Sequence, residues 1–269
     1  METGCRRAIL FLLFSPLFGT GFAQTETPVK VDKPLKSYSH WYFGAEYGVP
    51  FLFGDFTSFS ADKTYVGSQF GGFAGYQVNS WIGIEASART GYTRMGAKSY
   101  AGDYLMNADG MTYYTNQDFN TWKYKDVFSK VHFTNIGLQM NLNVNNFFGP
   151  NRGNRRWTVL LSPAVYAQHF STELINKADK SPLSGKKTDK WNIGIGGDVS
   201  LRYKISRAFD VQLRTGIIWV NNNKMDGIST LIKSKDHFMT SAGLSLIWKV
   251  GKKKEDNVLY ASRLSLIHI

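Results

Sequence analysis

Apolar and polar residues alternate with a period of two in eight separate segments of this chain. In WNIGIGGDVSLRYK (191–204) the odd positions are mostly apolar with aromatic ends, and the even positions are small, polar or charged. Successive side chains of a β-strand point to opposite faces of the sheet, so this pattern predicts a strand with one apolar and one polar face. We therefore predict eight such strands between residues 40 and 250.

The connections between the predicted strands alternate in length. The short ones are Asn79-Ser80 and about four residues around Ser206-Arg207, and NNFFGPNRGNRR (145–156) is a somewhat longer one. The long ones are 52–66, 93–129, 171–189 and 222–236. Short turns at one end and long loops at the other are typical of up-and-down barrels in the bacterial outer membrane, where the short turns face the periplasm. The sequence therefore predicts an all-β fold, an eight-stranded antiparallel up-and-down transmembrane β-barrel over residues 40–250, with both termini in the periplasm.

The direction of the apolar face separates a membrane barrel from a soluble one. A soluble barrel carries its apolar face inward, whereas a membrane barrel turns it toward lipid and places aromatic girdles at both interfaces. Aromatic residues stand near the ends of the predicted strands: Trp41, Trp81, Trp157, Trp191, Tyr203 and Trp248. We therefore predict that the apolar face contacts lipid. A soluble secreted sandwich with the two faces reversed is the alternative architecture.

The polar faces of the strands would then line the interior and carry charges of both signs. The predicted interior charge network consists of Glu46, Glu85, Arg89, Asp198, Arg202 and Arg214. An eight-stranded barrel is only wide enough for its side chains to fill, and an unpaired charge in that space is costly. We therefore predict ion pairs that close the lumen and a negligible single-channel conductance, with a small gated pore as the alternative.

The first residues have the character of a secretory signal peptide. Arg6 and Arg7 precede an apolar stretch, and small residues follow up to Ala23, so we assign 1–23 to the signal and 24–39 to a polar periplasmic tether. Cys5, the single cysteine, lies in the signal. The exported chain is thus predicted to have neither disulfides nor thiolate metal sites.

Other functional classes receive little support. The net charge of +12 comes from scattered lysines in an exported chain, which favours contact with anionic headgroups over nucleic acid. NADG (107–110) lacks the acids that a calcium loop needs at 105 and 116.

His169, Ser171 and Glu173 form the one enzyme-like group, of the kind that hydrolyses an acyl ester. We predict no catalytic residues, no metal and no cofactor, and keep a lipid A-modifying esterase as a minor alternative.

With its signal peptide, eight alternating segments, alternation of long and short loops and charged lumen, the chain resembles over residues 40–250 the N-terminal barrel of the outer membrane protein A (OmpA) family of Gram-negative bacteria, or the related general outer membrane β-barrel family. The resemblance implies an outer-membrane location, contact with outer-membrane lipid and lipopolysaccharide, and insertion by the barrel-assembly machinery. Full-length members carry a periplasmic peptidoglycan-binding domain after the barrel. The resemblance therefore implies a structural anchoring role. It also implies that peptidoglycan is bound only through a C-terminal domain that this chain does not include. A barrel-only receptor, adhesin or minor pore is the alternative, with YLMNADGMTYYTNQDFNTWKYK (104–125) as the recognition loop.

The end of the chain bears on this expectation. The last predicted strand is complete at Val250, and GKKKEDNVLYASR (251–263) is expected to begin a periplasmic linker. LSLIHI (264–269) is what CTG TCT CTT ATA CAC ATC encodes, which resembles a transposon end used in sequencing libraries. We interpret these residues as adapter sequence and expect the native chain to continue beyond Arg263.

Overall fold

The computed structural model describes residues 38–98, 104–105, 121–148, 155–183, 188–221, 225–228, 237–252 and 256–261. The predicted signal peptide, the predicted tether up to residue 37, NADG, and the predicted adapter residues lie outside these ranges. The strands are β1 (Tyr38–Ser39), β2 (Trp41–Phe53), β3 (Phe56–Thr57), β4 (Ser68–Gln77), β5 (Ile82–Ala97), β6 (Val127–Asn143), β7 (Trp157–Asn176), β8 (Thr188–Lys204), β9 (Phe209–Val220), β10 (His237–Lys249) and β11 (Asp256–Asn257). A short α-helix, α1 (Val144–Phe148), follows β6, and 3₁₀ turns cover Tyr124–Asp126 and Val258–Tyr260.

The eight long strands form one closed sheet. Each pairs antiparallel with its neighbour along the chain, from β2 through β4 to β10, and β10 pairs with β2 to close the circle. The short strand β3 pairs with both β2 and β5 at the end that carries the long connections. We call this end the loop end and the opposite one the turn end. The predicted eight-stranded up-and-down barrel is confirmed.

The barrel has an apolar outside and a polar inside. Outward side chains such as Ile193 and Tyr47 are 74% and 62% exposed, whereas inward Glu85 and Gln168 are fully buried. Because the sheet closes on itself with its charges inside, the alternative of a soluble sandwich is wrong. Among the described residues, no helix has the length and apolar character needed to span a bilayer. The fold is that of a transmembrane β-barrel.

The strands reach farther toward the loop end than the sequence analysis expected. Residues 93–97 belong to β5 and 171–176 to β7, so the predicted loops 93–129 and 171–189 were begun too early. The error arose because the apolar residues change from the outer to the inner face there: Met95 of β5 and Leu174 of β7 point inward. A membrane-spanning strand needs only about 9–11 residues. The longer strands therefore continue past the bilayer as a wall with an apolar interior.

This apolar interior forms a buried group that we call the loop-end cluster. Its members are Leu52, Phe56, Met95, Ala97, Leu105, Tyr124, Val127, Val131, Phe133, Phe170, Leu174, Val220, Met225, Ile228 and Met239. Part of the connection between β9 and β10 packs in the loop-end cluster. Thr172 Oγ1 donates to the Met225 carbonyl at 2.6 Å, and Ser129 Oγ donates to the Asp226 carbonyl at 2.8 Å. The connections thus take part in closing the loop end.

The turn end is covered by the segment that follows the last barrel strand. β11 pairs parallel with β1, and Leu259 and Tyr260 pack on Leu160. The Tyr260 hydroxyl donates to Asp210 Oδ2 at 2.8 Å, and the Lys204 and Lys249 ammonium groups lie 4.7 and 4.9 Å from the centre of its ring. The sequence analysis expected 251–263 to leave the barrel as a linker. Residues 256–261 instead fold back onto the barrel, because Leu259 and Tyr260 bury apolar surface there.

Candidate functional site

The six predicted interior charges all project into the lumen. Glu46 comes from β2, Glu85 and Arg89 from β5, Asp198 and Arg202 from β8, and Arg214 from β9, and each is at most 6% exposed. They share the interior because each occupies the inward position of the two-residue repeat of its strand. Three acids and three arginines give the group formal charge balance.

Arg214 and Arg89 link the three carboxylates. Arg214 Nη2 lies 2.7 Å from Glu85 Oε1, and its Nη1 lies 3.5 Å from Glu46 Oε2 and 3.8 Å from Asp198 Oδ2. Arg89 completes the ring, with Nε 3.2 Å from Glu46 Oε1 and Nη2 3.1 Å from Asp198 Oδ2. Five of the six predicted residues therefore form one continuous ion-pair network.

Neutral side chains also donate hydrogen bonds to both oxygens of the Glu85 carboxylate. Tyr42 Oη donates to Oε2 at 2.9 Å, Asn141 Nδ2 to Oε2 at 3.1 Å, and Gln139 Nε2 to Oε1 at 3.0 Å. A buried carboxylate with several donors and a cation is well compensated for the water it has lost. The network is therefore built to hold its charges in place.

Arg202 is attached to the network indirectly. Its Nε donates to Gln212 Oε1 at 2.8 Å, and its guanidinium carbon lies 4.9 Å from the centre of the Tyr42 ring. In the described part of the chain it has no carboxylate within ion-pair distance. Arg202 thus reaches Glu85 through Tyr42, a link that the sequence pattern did not indicate.

Glycines on β2 and β4 make room for two inward aromatic rings beside the network. A Cβ on Gly44 would lie 2.2 Å from Cζ of Phe73, and a Cβ on Gly75 would lie 2.1 Å from Cζ of Tyr42. The Phe73 ring in turn lies under the Arg214 guanidinium at 4.8 Å. The glycine cluster of β4 therefore serves close packing, and the rings fill the lumen that the glycines leave open.

Three layers close the lumen of the described barrel. The loop-end cluster fills the mouth at the long connections, the ion-pair network fills the middle, and Leu160, Leu259 and Tyr260 cover the turn end. The loop-end cluster is apolar, and the ion-pair network holds charges that are already compensated. The turn-end layer combines apolar Leu160 and Leu259 with Tyr260, which donates to Asp210. This arrangement resists ion passage and favours a rigid plug.

The predicted interfacial aromatics occupy both rims of the outer surface. Trp41, Trp157 and Trp248 are more than half exposed near the turn end, where Trp157 packs on Tyr203 with ring centres 4.5 Å apart. Trp81 lies in the short turn between β4 and β5 and is partly exposed. At the loop end of the apolar band, Trp191 is 60% exposed and is joined by an aromatic that the prediction omitted, Trp219, at 56%.

The enzyme-like group lies on the outer wall of β7. His169, Ser171 and Glu173 all face outward, and His169 Nε2 bonds to Asp189 of the neighbouring strand and packs on Trp191. Residues two apart on a strand are separated by about 6.5–7 Å. The described geometry thus directs the histidine toward Asp189 rather than toward the serine.

The sequence analysis missed a group of three residues at the loop end whose side chains are of types that can bind a metal ion. Asp55, Asp226 and His237 converge there, fully or almost fully buried. The sequence offered no signal for this group, because the three residues belong to connections and strand ends far apart in the chain. Only the closed barrel brings them together.

Comparisons with known proteins find similarity only among solved structures. No protein-family model matches the sequence, and no curated protein matches it. The chain is similar to Neisserial surface protein A, at 12% identity over 78% of this chain and 97% of that chain, with a TM-score of 0.44. It is also similar to a major outer membrane protein of Thermus thermophilus (12% identity, 78% and 99% coverage, TM-score 0.44). A third similar structure is the N-terminal β-barrel domain of Pseudomonas aeruginosa OprF, at 12% identity over 76% of this chain and 96% of that chain, with a TM-score of 0.31.

At such TM-scores these likenesses carry no argument about function, and the class of protein follows from the geometry of this chain. A closed antiparallel sheet, an outward apolar band with aromatic rims and a buried ionic interior define an integral membrane β-barrel protein. Within this class, the described residues form a plugged barrel.

Proposed function

We propose that this protein is an outer-membrane barrel with a structural, anchoring role, the barrel part of an OmpA-like protein. The observation that carries the proposal is the closure of the lumen at three levels, which suits a fixed anchor better than a channel. The anchoring itself would depend on a peptidoglycan-binding domain encoded after Arg263. The β1 and β11 pair at the turn end supports this role, because it fastens the chain to the barrel next to where such a domain would be attached.

The proposed location is the outer membrane, with the turn end and both termini in the periplasm. The short turns and the β1 and β11 pair lie at the same end, as the general plan of these barrels requires. The proposed partners are outer-membrane lipid and lipopolysaccharide on the apolar band, and the barrel-assembly machinery during insertion. No cofactor and no enzymatic activity form part of the proposal.

The anchoring role is tested by extending the reading frame beyond codon 263 and expressing the complete product. We expect the complete protein to sediment with purified peptidoglycan sacculi in mild detergent, and a matched chain ending at Ala261 to stay in the supernatant. If the complete product also stays in the supernatant, or a stop codon directly follows codon 263, the anchoring role is wrong.

The closed lumen predicts a negligible conductance. Purified barrel reconstituted in a planar lipid bilayer is expected to give no stable single-channel openings in 1 M KCl, since three filled layers obstruct the path. A porin measured in the same bilayer provides the positive control. Long-lived, voltage-independent openings of the unmodified barrel would favour the alternative of a minor pore.

A surface receptor or adhesin is the second candidate. It is favoured by the way buried side chains hold parts of the long connections: Leu105, Tyr124, Met225 and Ile228 all lie in the loop-end cluster. Connections fastened in this manner present a preorganised surface, which lowers the entropic cost of binding a partner. The sedimentation experiment separates this role from anchoring, because an adhesin does not need peptidoglycan.

A further inference from the structure

Three metal-ligating side chains meet at the loop end from three separate parts of the chain. Asp55 lies in the turn between β2 and β3, Asp226 in the connection between β9 and β10, and His237 is the first residue of β10. One ligand atom from each lies within 4.8 Å of the others, and Asp226 Oδ2 is 3.8 Å from His237 Nε2. Asp226 and His237 are fully buried and Asp55 is 5% exposed.

The surrounding backbone holds the Asp226 carboxylate in place. Its Oδ2 accepts hydrogen bonds from the backbone N–H groups of Asp55 at 2.9 Å and Phe56 at 3.1 Å. The carbonyl of Asp226 accepts a further bond from Ser129 Oγ at 2.8 Å. The position of this carboxylate is therefore set by β6 and the β2–β3 turn before any ligand binds, which preorganises it for coordination.

Gly54 allows the turn to approach the cluster closely. A Cβ at this position would lie 2.9 Å from His237 Nε2 and 3.0 Å from Asp226 Oδ2. Any larger residue would push the imidazole and the carboxylate apart or occupy the space between them. The absence of a side chain at Gly54 therefore lets the β2–β3 turn, which carries Asp55, lie close to the other two groups.

The electrostatics of the cluster favour a cation. Two carboxyl groups and an imidazole share one buried volume at the loop end. A buried carboxylate is costly unless a counter-charge compensates it. A divalent cation among the three groups would place positive charge beside both carboxyl groups and accept lone pairs from all three.

We propose that Asp55, Asp226 and His237 form a binding site for a divalent transition-metal ion, with Zn²⁺ as the ion that fits best. The imidazole nitrogen disfavours Ca²⁺ and Mg²⁺, which take oxygen ligands. Zinc bonds of 2.0–2.2 Å place tetrahedral ligand atoms about 3.4 Å apart. The 3.8 Å separation of Asp226 Oδ2 and His237 Nε2 needs to shorten by a few tenths of an ångström, and the Asp55 ligand atom, within 4.8 Å of the other two, also needs to move closer.

Such an ion would join the β2–β3 turn, the β9–β10 connection and the start of β10. Two of the ligands, Asp55 and Asp226, are sequence neighbours of Phe56 and Met225, which belong to the loop-end cluster. Metal binding would therefore fix the connections over the mouth of the barrel and raise the stability of the folded state by mass action. This inference does not depend on the proposed anchoring role, because it concerns only the loop end.

The test is isothermal titration of ZnCl₂ into EDTA-treated, refolded barrel in detergent. We expect one equivalent of Zn²⁺ to bind, more tightly than Ca²⁺ or Mg²⁺, and His237→Gln and Asp55→Asn each to weaken binding by about tenfold or more. His169→Gln is the matched control, because it removes a partly exposed imidazole from the outer wall and should leave the affinity unchanged.

A second measurement keeps the result independent of folding defects. Zinc is expected to raise the thermal unfolding midpoint of the unmodified barrel and of His169→Gln, but not of His237→Gln or Asp55→Asn. Folding of each variant is checked by its heat-modifiable gel mobility, and either ligand variant alone is sufficient if the other fails to fold. Absence of zinc binding to the unmodified barrel, or unchanged affinity in a folded ligand variant, would overturn the proposal.

Discussion

Replacing Arg214 with alanine is expected to lower the free energy of unfolding by about 3–5 kcal/mol, the cost of leaving buried charges without their partner. Arg214 contacts Glu85, Glu46 and Asp198. After its removal Arg89 still pairs with Glu46 and Asp198, but in the described part of the chain Glu85 loses its ion pair. The value is measured by equilibrium unfolding in guanidinium chloride with the barrel in phospholipid vesicles, followed by tryptophan fluorescence.

Thr215→Ala is the matched control, since Thr215 is the next residue of β9 and faces outward. It is expected to change the free energy of unfolding by less than about 0.5 kcal/mol. The double variant Arg214→Met with Glu85→Gln removes one charge of each sign and should recover part of the loss. If Arg214→Ala costs less than about 1 kcal/mol, water enters the lumen and compensates the acids, and the interior is not a dry plug.

Replacing Phe170 with alanine is expected to cost about 3–5 kcal/mol, the usual range for removing a buried phenylalanine from a packed core. Phe170 is 1% exposed in the loop-end cluster. The same cluster holds Leu105, Tyr124 and Met225 of the long connections. The cavity left by the missing Phe170 ring should therefore also loosen these connections. Limited trypsin digestion of vesicle-embedded barrel is expected to cut near Lys123 and Lys125 faster in the variant.

The control for this prediction is Ser171→Ala, which changes the outward-facing neighbour on the same strand. It should leave both the unfolding free energy and the digestion rate near those of the unmodified barrel. Faster digestion without a loss of stability would mean that the connections are held independently of the cluster. Unchanged behaviour in both measurements would show that the loop end is not a packed core in the membrane.

The fold was predictable because its main signal is local. In a strand, the face on which a side chain lies depends only on whether its position is odd or even, so Glu85 and Arg89 could be placed in the lumen from the sequence alone. The same argument put Ile193 and Trp191 on the outer surface. The lengths of the connections then indicated up-and-down order without any knowledge of contacts.

The extent of the strands was less predictable because the environment changes along them. The sequence analysis ended β5 and β7 where outward residues became polar, and it interpreted the polar residues as loop. In the structure, Met95, Phe170 and Leu174 continue the strands with the apolar face turned inward. Polar outward residues can belong to a loop or to a strand that continues beyond the bilayer into water. The two-residue pattern alone does not distinguish these cases.

The sequence by itself determined which residues line the lumen, which face lipid and how many strands there are, because a two-residue period is a property of neighbouring residues. Only the tertiary structure decided which interior residues touch. It linked Arg202 to Glu85 through Tyr42, placed Tyr260 on Asp210, and brought Asp55, Asp226 and His237 to one point. These contacts join residues distant in the chain, and they depend on the register and closure of the sheet, which the pattern of a single strand does not contain.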